Sequence, residues 1–82
     1  MAKLTWKSSY DDGFDGCIQH EARATHYAGG RYRIRNFMKS EGWEVRYCPP
    51  ERRNWSRIGT AATEIEAAVL AQADNDRRPG AA

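Results

Sequence analysis

The chain lacks most of the features that announce a function. No apolar run approaches the length of a bilayer span. The opening "MAKLTWKSSYDD" has no apolar stretch after its lysine, so it does not read as a secretory signal, and a cytoplasmic location is expected. There are only two cysteines, Cys17 and Cys48. In a reducing compartment both are free thiols. Cys17, His20, His26 and Cys48 lack the paired spacing of a zinc site. Cys17 and His20 lie three apart on an expected strand, so they point to opposite faces. Asp11, Asp12 and Asp15 are not followed by the glutamate of a calcium loop. "AGGR" lacks the Lys-Ser/Thr of a phosphate loop. No Ser/His/Asp or Cys/His set has an enclosing pocket. No catalytic residue, metal or cofactor is therefore expected, and the chain does not read as an enzyme.

What is present is one small domain's worth of chain, 82 residues. Such a chain buries a modest fraction of its surface, so its stability margin is thin. The 40% apolar and 29% charged content is that of a globular protein. The net charge of +2 is unevenly spread. Residues 31–57 carry eight Lys/Arg against three Asp/Glu, whereas residues 1–30 and 58–82 are each slightly acidic. A molecule polarised in this way steers a charged partner. Its overall balance is less basic than that of a dedicated nucleic-acid binder.

Period-two alternation marks the strands. Leu4, Trp6, Ser8 and Tyr10 share one face of a first strand, with Trp6 inward. "DDGFDG", 11 to 16, is a turn. Residues 17–28 form a second strand, with Ile18, His20, Ala22, Ala24 and His26 on one face. Gly29-Gly30 signals a hairpin. Two registers are open there: a two-residue loop puts the alanines on the arginine side, and a three-residue bulged loop puts them with Tyr32 and Ile34. The bulged form is preferred, because small alanines let a helix approach. A third strand spans 31–38 and a fourth 43–48. A four-residue loop between them sets Met38 opposite Trp43, Ile34 opposite Tyr47 and Arg35 beside Arg46.

Pro49-Pro50 ends the fourth strand, because proline offers no ladder N–H. "WSRIG", 55 to 59, is a short strand or arm. Thr60 to Arg77 reads as one helix, with Thr63 and Glu66 as a capping box. Ala62, Ile65, Val69 and Ala73 form its apolar face. Glu64, Glu66, Asp74 and Asp76 form its solvated side. The expectation is an α+β fold: four antiparallel strands, possibly five, with one C-terminal helix on one face. Residues 1–76 make the domain and 77–82 a disordered tail.

"GGRYRIRNF" carries the main functional signal. Alternation sends Tyr32 and Ile34 to the core and Arg31, Arg33 and Arg35 to the other face, beside Glu44 and Arg46. That row is either a plain wet face or a binding surface. Arg52, Arg53 and Arg57 extend it through the loop and arm. Trp6 and Trp43 are expected in the core. Trp55, after an arginine-rich loop, is a candidate hot spot. Base stacking needs aromatics beside the arginines, and only Phe37, with Tyr27 in the bulged register, qualifies.

The order "LTW … GGRYRIRNF … GWEVRY … WSRIG … TEIEAAVLAQAD" resembles small accessory proteins of phages and mobile elements. The resemblance covers the layout of residues 4–76 and carries over no site residue. It implies a protein that binds host proteins, including defence nucleases, without doing chemistry. The leading expectation is thus a protein-binding module, anti-CRISPR-like, whose ridge of Arg31, Arg33, Arg35, Arg46, Arg52, Arg53, Trp55 and Arg57 meets an acidic partner surface. The alternative is a nucleic-acid binder that holds phosphates with the same arginines. A third is a subunit whose sheet edge pairs with another copy. A monomer or small homo-oligomer, with no membrane partner, is expected.

Overall fold

The computed structural model describes residues 3–9, 17–37 and 42–79. Five strands precede one helix: β1 (Lys7–Ser9), β2 (Cys17–Arg23), β3 (Arg31–Phe37), β4 (Trp43–Cys48), β5 (Ser56–Ala61) and α1 (Glu64–Arg77). The strands form one antiparallel sheet in the order β1-β2-β3-β4-β5, so every strand pairs with its neighbour in sequence. This is the expected α+β layout, with the fifth strand formed. The expected turn at 11–16, the expected strand residue Met38, and residues 39–41 of the expected 39–42 loop lie outside the described residues.

One face of the sheet is core. Tyr32, Ile34, Val45 and Tyr47 are buried there against Ala67 and Ala71 of α1. Ala22, Ala24 and Leu4 complete the layer; Trp6 and Trp43, expected in the core, are partly buried and pack against its margin. Each large aliphatic group so buried stabilises by roughly 1.5–3 kcal/mol. Small residues at 67 and 71 let the helix backbone come close to the rings beneath.

The β3–β4 register differs from expectation by two residues. Ile34 pairs with Val45, and Tyr32 with Tyr47. Asn36 sets this register: its Nδ2 donates to the Gly42 carbonyl at 2.8 Å and ties the neck of the hairpin. An even shift keeps every side chain on its face. It changes the neighbours, however: Arg35 faces Glu44 and not Arg46, and Arg46 faces Arg33.

The preferred facing of β2 is observed, with Ala22 opposite Tyr32, but its loop is longer than a bulged hairpin. The strand ends at Arg23, well short of residue 28. The chain turns back over residues 24–30, closed by Ala24 N–H to Gly30 O and Gly29 N–H to His26 O. Gly29 and Gly30 have φ of 73° and 98°. A Cβ on Gly30 would collide with the Cys48 carbonyl and lie 2.8 Å from Tyr47 Oη. Only glycine combines that backbone with that approach.

The helix differs most. It begins after Thr63, not at Thr60, because Thr60 and Ala61 belong to β5. The Thr63 hydroxyl accepts from Glu66 N–H at 3.2 Å, which caps the first turn. Its buried residues are Ala67, Ala71, Asp74 and Asn75. The expected apolar face is exposed instead: Ile65 is 77% and Val69 62% accessible. Polar bonds explain the rotation. Asn75 accepts from Thr25 N–H at 2.9 Å and donates to its hydroxyl at 2.6 Å. Gln72 accepts from Leu4 N–H at 2.8 Å. Asp74, expected on the solvated side, accepts from the Tyr32 hydroxyl at 2.6 Å.

The segment after the helix is also held, although a loose tail was expected from 77. Arg78 bonds Asp74 at 2.9 Å and lies 4.1 Å over the Tyr47 ring. The Pro79 carbonyl accepts from Tyr27 N–H.

Candidate functional site

The face of the sheet away from α1 carries the arginines. Cross-strand pairing arranges its side chains in rows. One row crosses all five strands: Lys7, Glu21, Arg33, Arg46 and Arg57. The next row holds Gln19, Arg35, Glu44 and Thr60. On the other side Arg23 faces Arg31. Seven strand cations thus share one face with two carboxylates, an excess of five positive charges. The whole chain carries only +2. Lys7 and Arg23 were not among the expected site residues. Alternation within their own strands places them, but only the register shows that they adjoin the others.

The two carboxylates hold the cations in place. Glu21 Oε1 lies 2.9 Å from Arg31 Nη1, and its Oε2 lies 3.6 Å from Arg33 Nη2. Glu44 takes Arg46 through Nε and Arg57 Nη1 at 3.8 Å. Each glutamate therefore bridges two arginines and offsets the repulsion between Arg33 and Arg46. The pairs are partly exposed, so they position the guanidinium groups more than they stabilise the fold.

Trp55 lies on this same face. The Arg33 guanidinium carbon sits 4.1 Å from its ring centroid, and that of Arg31 5.3 Å. Both distances are in the cation–π range. The loop between β4 and β5 makes this possible. Arg52 N–H bonds Pro49 O at 3.2 Å, and the buried Cys48 thiol donates to Arg52 O at 2.9 Å. That turn folds the chain back so that Trp55 covers the arginines. Arg52 and Arg53 are exposed on the turn itself.

The expected site residues are thus mostly brought together. Arg31, Arg33, Arg35, Arg46, Arg57 and Trp55 share the face, while Arg52 and Arg53 lie on the connecting loop. Tyr27, considered as a stacking ring, sits in the turn after β2 and is 92% exposed. Trp43 serves the opposite side, stacked on His20 at 6.2 Å, with His20 Nε2 2.9 Å from Glu64.

An open hollow of about 670 Å³ adjoins the arginine face where β1 leaves β2. Lys3, Lys7, Arg23 and Arg31 line it together with Thr5 and Thr25. It extends the positive surface beyond the paired strands. Among the described residues no group of three or more His, Cys, Asp or Glu is placed to hold a metal ion, and no helix is long and apolar enough to cross a membrane.

Compared with known protein families, curated proteins and solved structures, the chain matches none. The arrangement of its own residues is therefore what bears on function.

Proposed function

We propose that this protein is a non-enzymatic binding module that grips the phosphate backbone of a nucleic acid with the arginine face of its sheet. The observation that carries the proposal is the cross-strand row Lys7–Glu21–Arg33–Arg46–Arg57, four cations and one carboxylate in five adjacent positions. Neighbouring strands are about 4.8 Å apart, so the row brings four cations close together, with Glu21 between Lys7 and Arg33 and a register shift where Arg57 joins. A regular polyanion complements such an array. Trp55 adds one ring to the same surface, where an arginine–aromatic pair suits contact with a base or sugar.

A second proposal keeps the leading expectation from the sequence, an acidic protein surface as partner. Glu21 and Glu44 favour it, since two carboxylates within the ridge repel phosphates but suit a surface of mixed charge. A phage-type inhibitor of a host nuclease or nucleoprotein complex would bind in this manner.

Fluorescence anisotropy with labelled duplex and single-stranded oligonucleotides, at rising salt, tests the first proposal. Four phosphate contacts predict affinity falling about 100-fold between 50 and 200 mM salt. Replacing the four cations of the row, Lys7, Arg33, Arg46 and Arg57, by alanine should abolish most of that dependence. No binding at low salt, together with capture of an acidic protein from nuclease-treated lysate, would transfer the site to the second proposal.

A further inference from the structure

We propose that the solvent face of α1 is a self-association surface, covered by the same face of a second copy of this chain in an antiparallel pair. Ile65 and Val69 are 77% and 62% exposed, while the same helix buries Asp74 and Asn75. Ala73, also exposed, continues the line. The three recur every four residues, so they form one ridge about 12 Å long at 1.5 Å per residue. An apolar ridge with charged flanks on a small domain marks a contact surface. Ile58, Leu70 and Ala73, with Asp74 and Arg77, line a shallow hollow of about 250 Å³ beside it.

Shape and charge identify the occupant. An antiparallel pair with Val69 on the two-fold axis sets Val69 on its counterpart. It sets Ile65 over the second copy's Ala73, large against small. Glu66 and Arg77 are eleven residues apart, close to three turns, and so share one flank of the ridge. The two-fold axis keeps that flank on the same side in both copies. Glu66 then lies three residues from the axis and the second copy's Arg77 eight, about 7.5 Å apart along the helix. An extended arginine spans that distance. Arg77 also reaches Asp74, but 75% of its side chain remains accessible. A parallel pair would send this flank to opposite sides of the ridge in the two copies, so Glu66 and Arg77 would not meet across it. The antiparallel pair also opposes the two helix dipoles favourably.

The ridge is smaller than the ~800 Å² per partner of a standard interface, so the dimer is weak and reversible. The helix packs on the sheet face opposite the arginines, so a dimer presents two arginine faces outward. This inference does not depend on what those faces bind.

Sedimentation equilibrium of the full chain, from about 10 μM to about 1 mM, is the test. The mass should rise reversibly from monomer to dimer. Val69→Glu should weaken the dimer at least about tenfold, and Glu66→Arg about threefold. Ile18→Glu, at an exposed site on the sheet, should leave it unchanged. Circular dichroism should show equal helix content in all variants. A chain that stays monomeric at the highest concentration overturns the proposal and leaves the ridge to an unlike partner. A dimer untouched by Val69→Glu overturns it as well, and points to the free edge of β5.

Discussion

The Tyr32 hydroxyl donates to Asp74 Oδ2 at 2.6 Å inside the core. This bond joins the central strand to the last turns of the helix. Burial alone would raise the Asp74 pKa, but bonds from Tyr32 and Arg78 and the charges of Arg78 and Arg77 outweigh it. The carboxyl is held below its ordinary range. Burial first, and then the Asp74 bond, push the Tyr32 phenol above its ordinary value, so it stays a donor.

Tyr32→Phe should therefore cost about 2 kcal/mol, the worth of a hydrogen bond to a charged acceptor. Asp74→Ala should cost about 3 kcal/mol, because it strands a buried hydroxyl and the partly buried Arg78 together. Urea unfolding with a fixed m-value measures both. An Asp74→Ala variant as stable as the parent would show that the Tyr32–Asp74 bond does not hold the helix on the sheet.

Acid should loosen this same region in two stages. His26 is buried, edge-on to Tyr32 and 5.5 Å from Tyr47. Neither ring nitrogen has a hydrogen-bond partner among the described residues. Burial and the Arg78 charge lower its pKa below 6.5, against a smaller opposing pull from Asp74. The unfolded chain therefore binds the proton more readily than the folded one. The stability from neutral His26 is complete above pH 6.5 and declines as pH falls below it. Asp74 has the same sign at lower pH: its contribution is present above 3.8 and is lost as pH falls through its folded value. Melting curves from pH 8 to pH 3 should show both declines, and His26→Phe should remove the upper one.

Gly30 should tolerate no side chain. Its φ of 98° and the approach of Cys48 O and Tyr47 Oη make Gly30→Ala cost well over the ~1 kcal/mol of an ordinary glycine effect. Gly29→Ala, with only Pro50 at 3.7 Å, should cost less. Thermal melts of the pair measure the difference.

The two sides of α1 should respond oppositely to substitution. Ala71 is fully buried, so Ala71→Leu should overpack the layer by about 1–3 kcal/mol. Ile65→Ala, at an exposed site, should change monomer stability by less than about 0.5 kcal/mol. The apolar pattern of the helix alone predicts the reverse ranking, so this comparison isolates the polar docking of α1.

The order of the strands and the facing of their side chains were legible in the sequence because alternation is a local signal, but the ends of β2 and β5 were not. Tyr32 and Ile34 could be assigned to the core from their spacing, and Arg31, Arg33 and Arg35 to the other face. Thr63 with Glu66 marked the cap of the helix. The β3–β4 neighbours were not legible, because they turn on the Asn36–Gly42 bond. Nor was the rotation of α1. Its sequence offers Ile65 and Val69 as a face, yet alanines fit closer over Tyr32 and Tyr47, and Asn75 and Asp74 find buried partners on β3 and the β2–β3 connection.

The candidate site divides in the same way. The sequence by itself determined that arginines alternate with core residues, since a strand's period of two is a property of the backbone. Tertiary structure alone decided that Lys7, Arg33, Arg46 and Arg57 stand in one row, that Glu21 and Glu44 bridge them, and that Trp55 folds onto Arg33. Each of those contacts joins residues on different strands or loops, and only the paired register of the whole sheet brings them together.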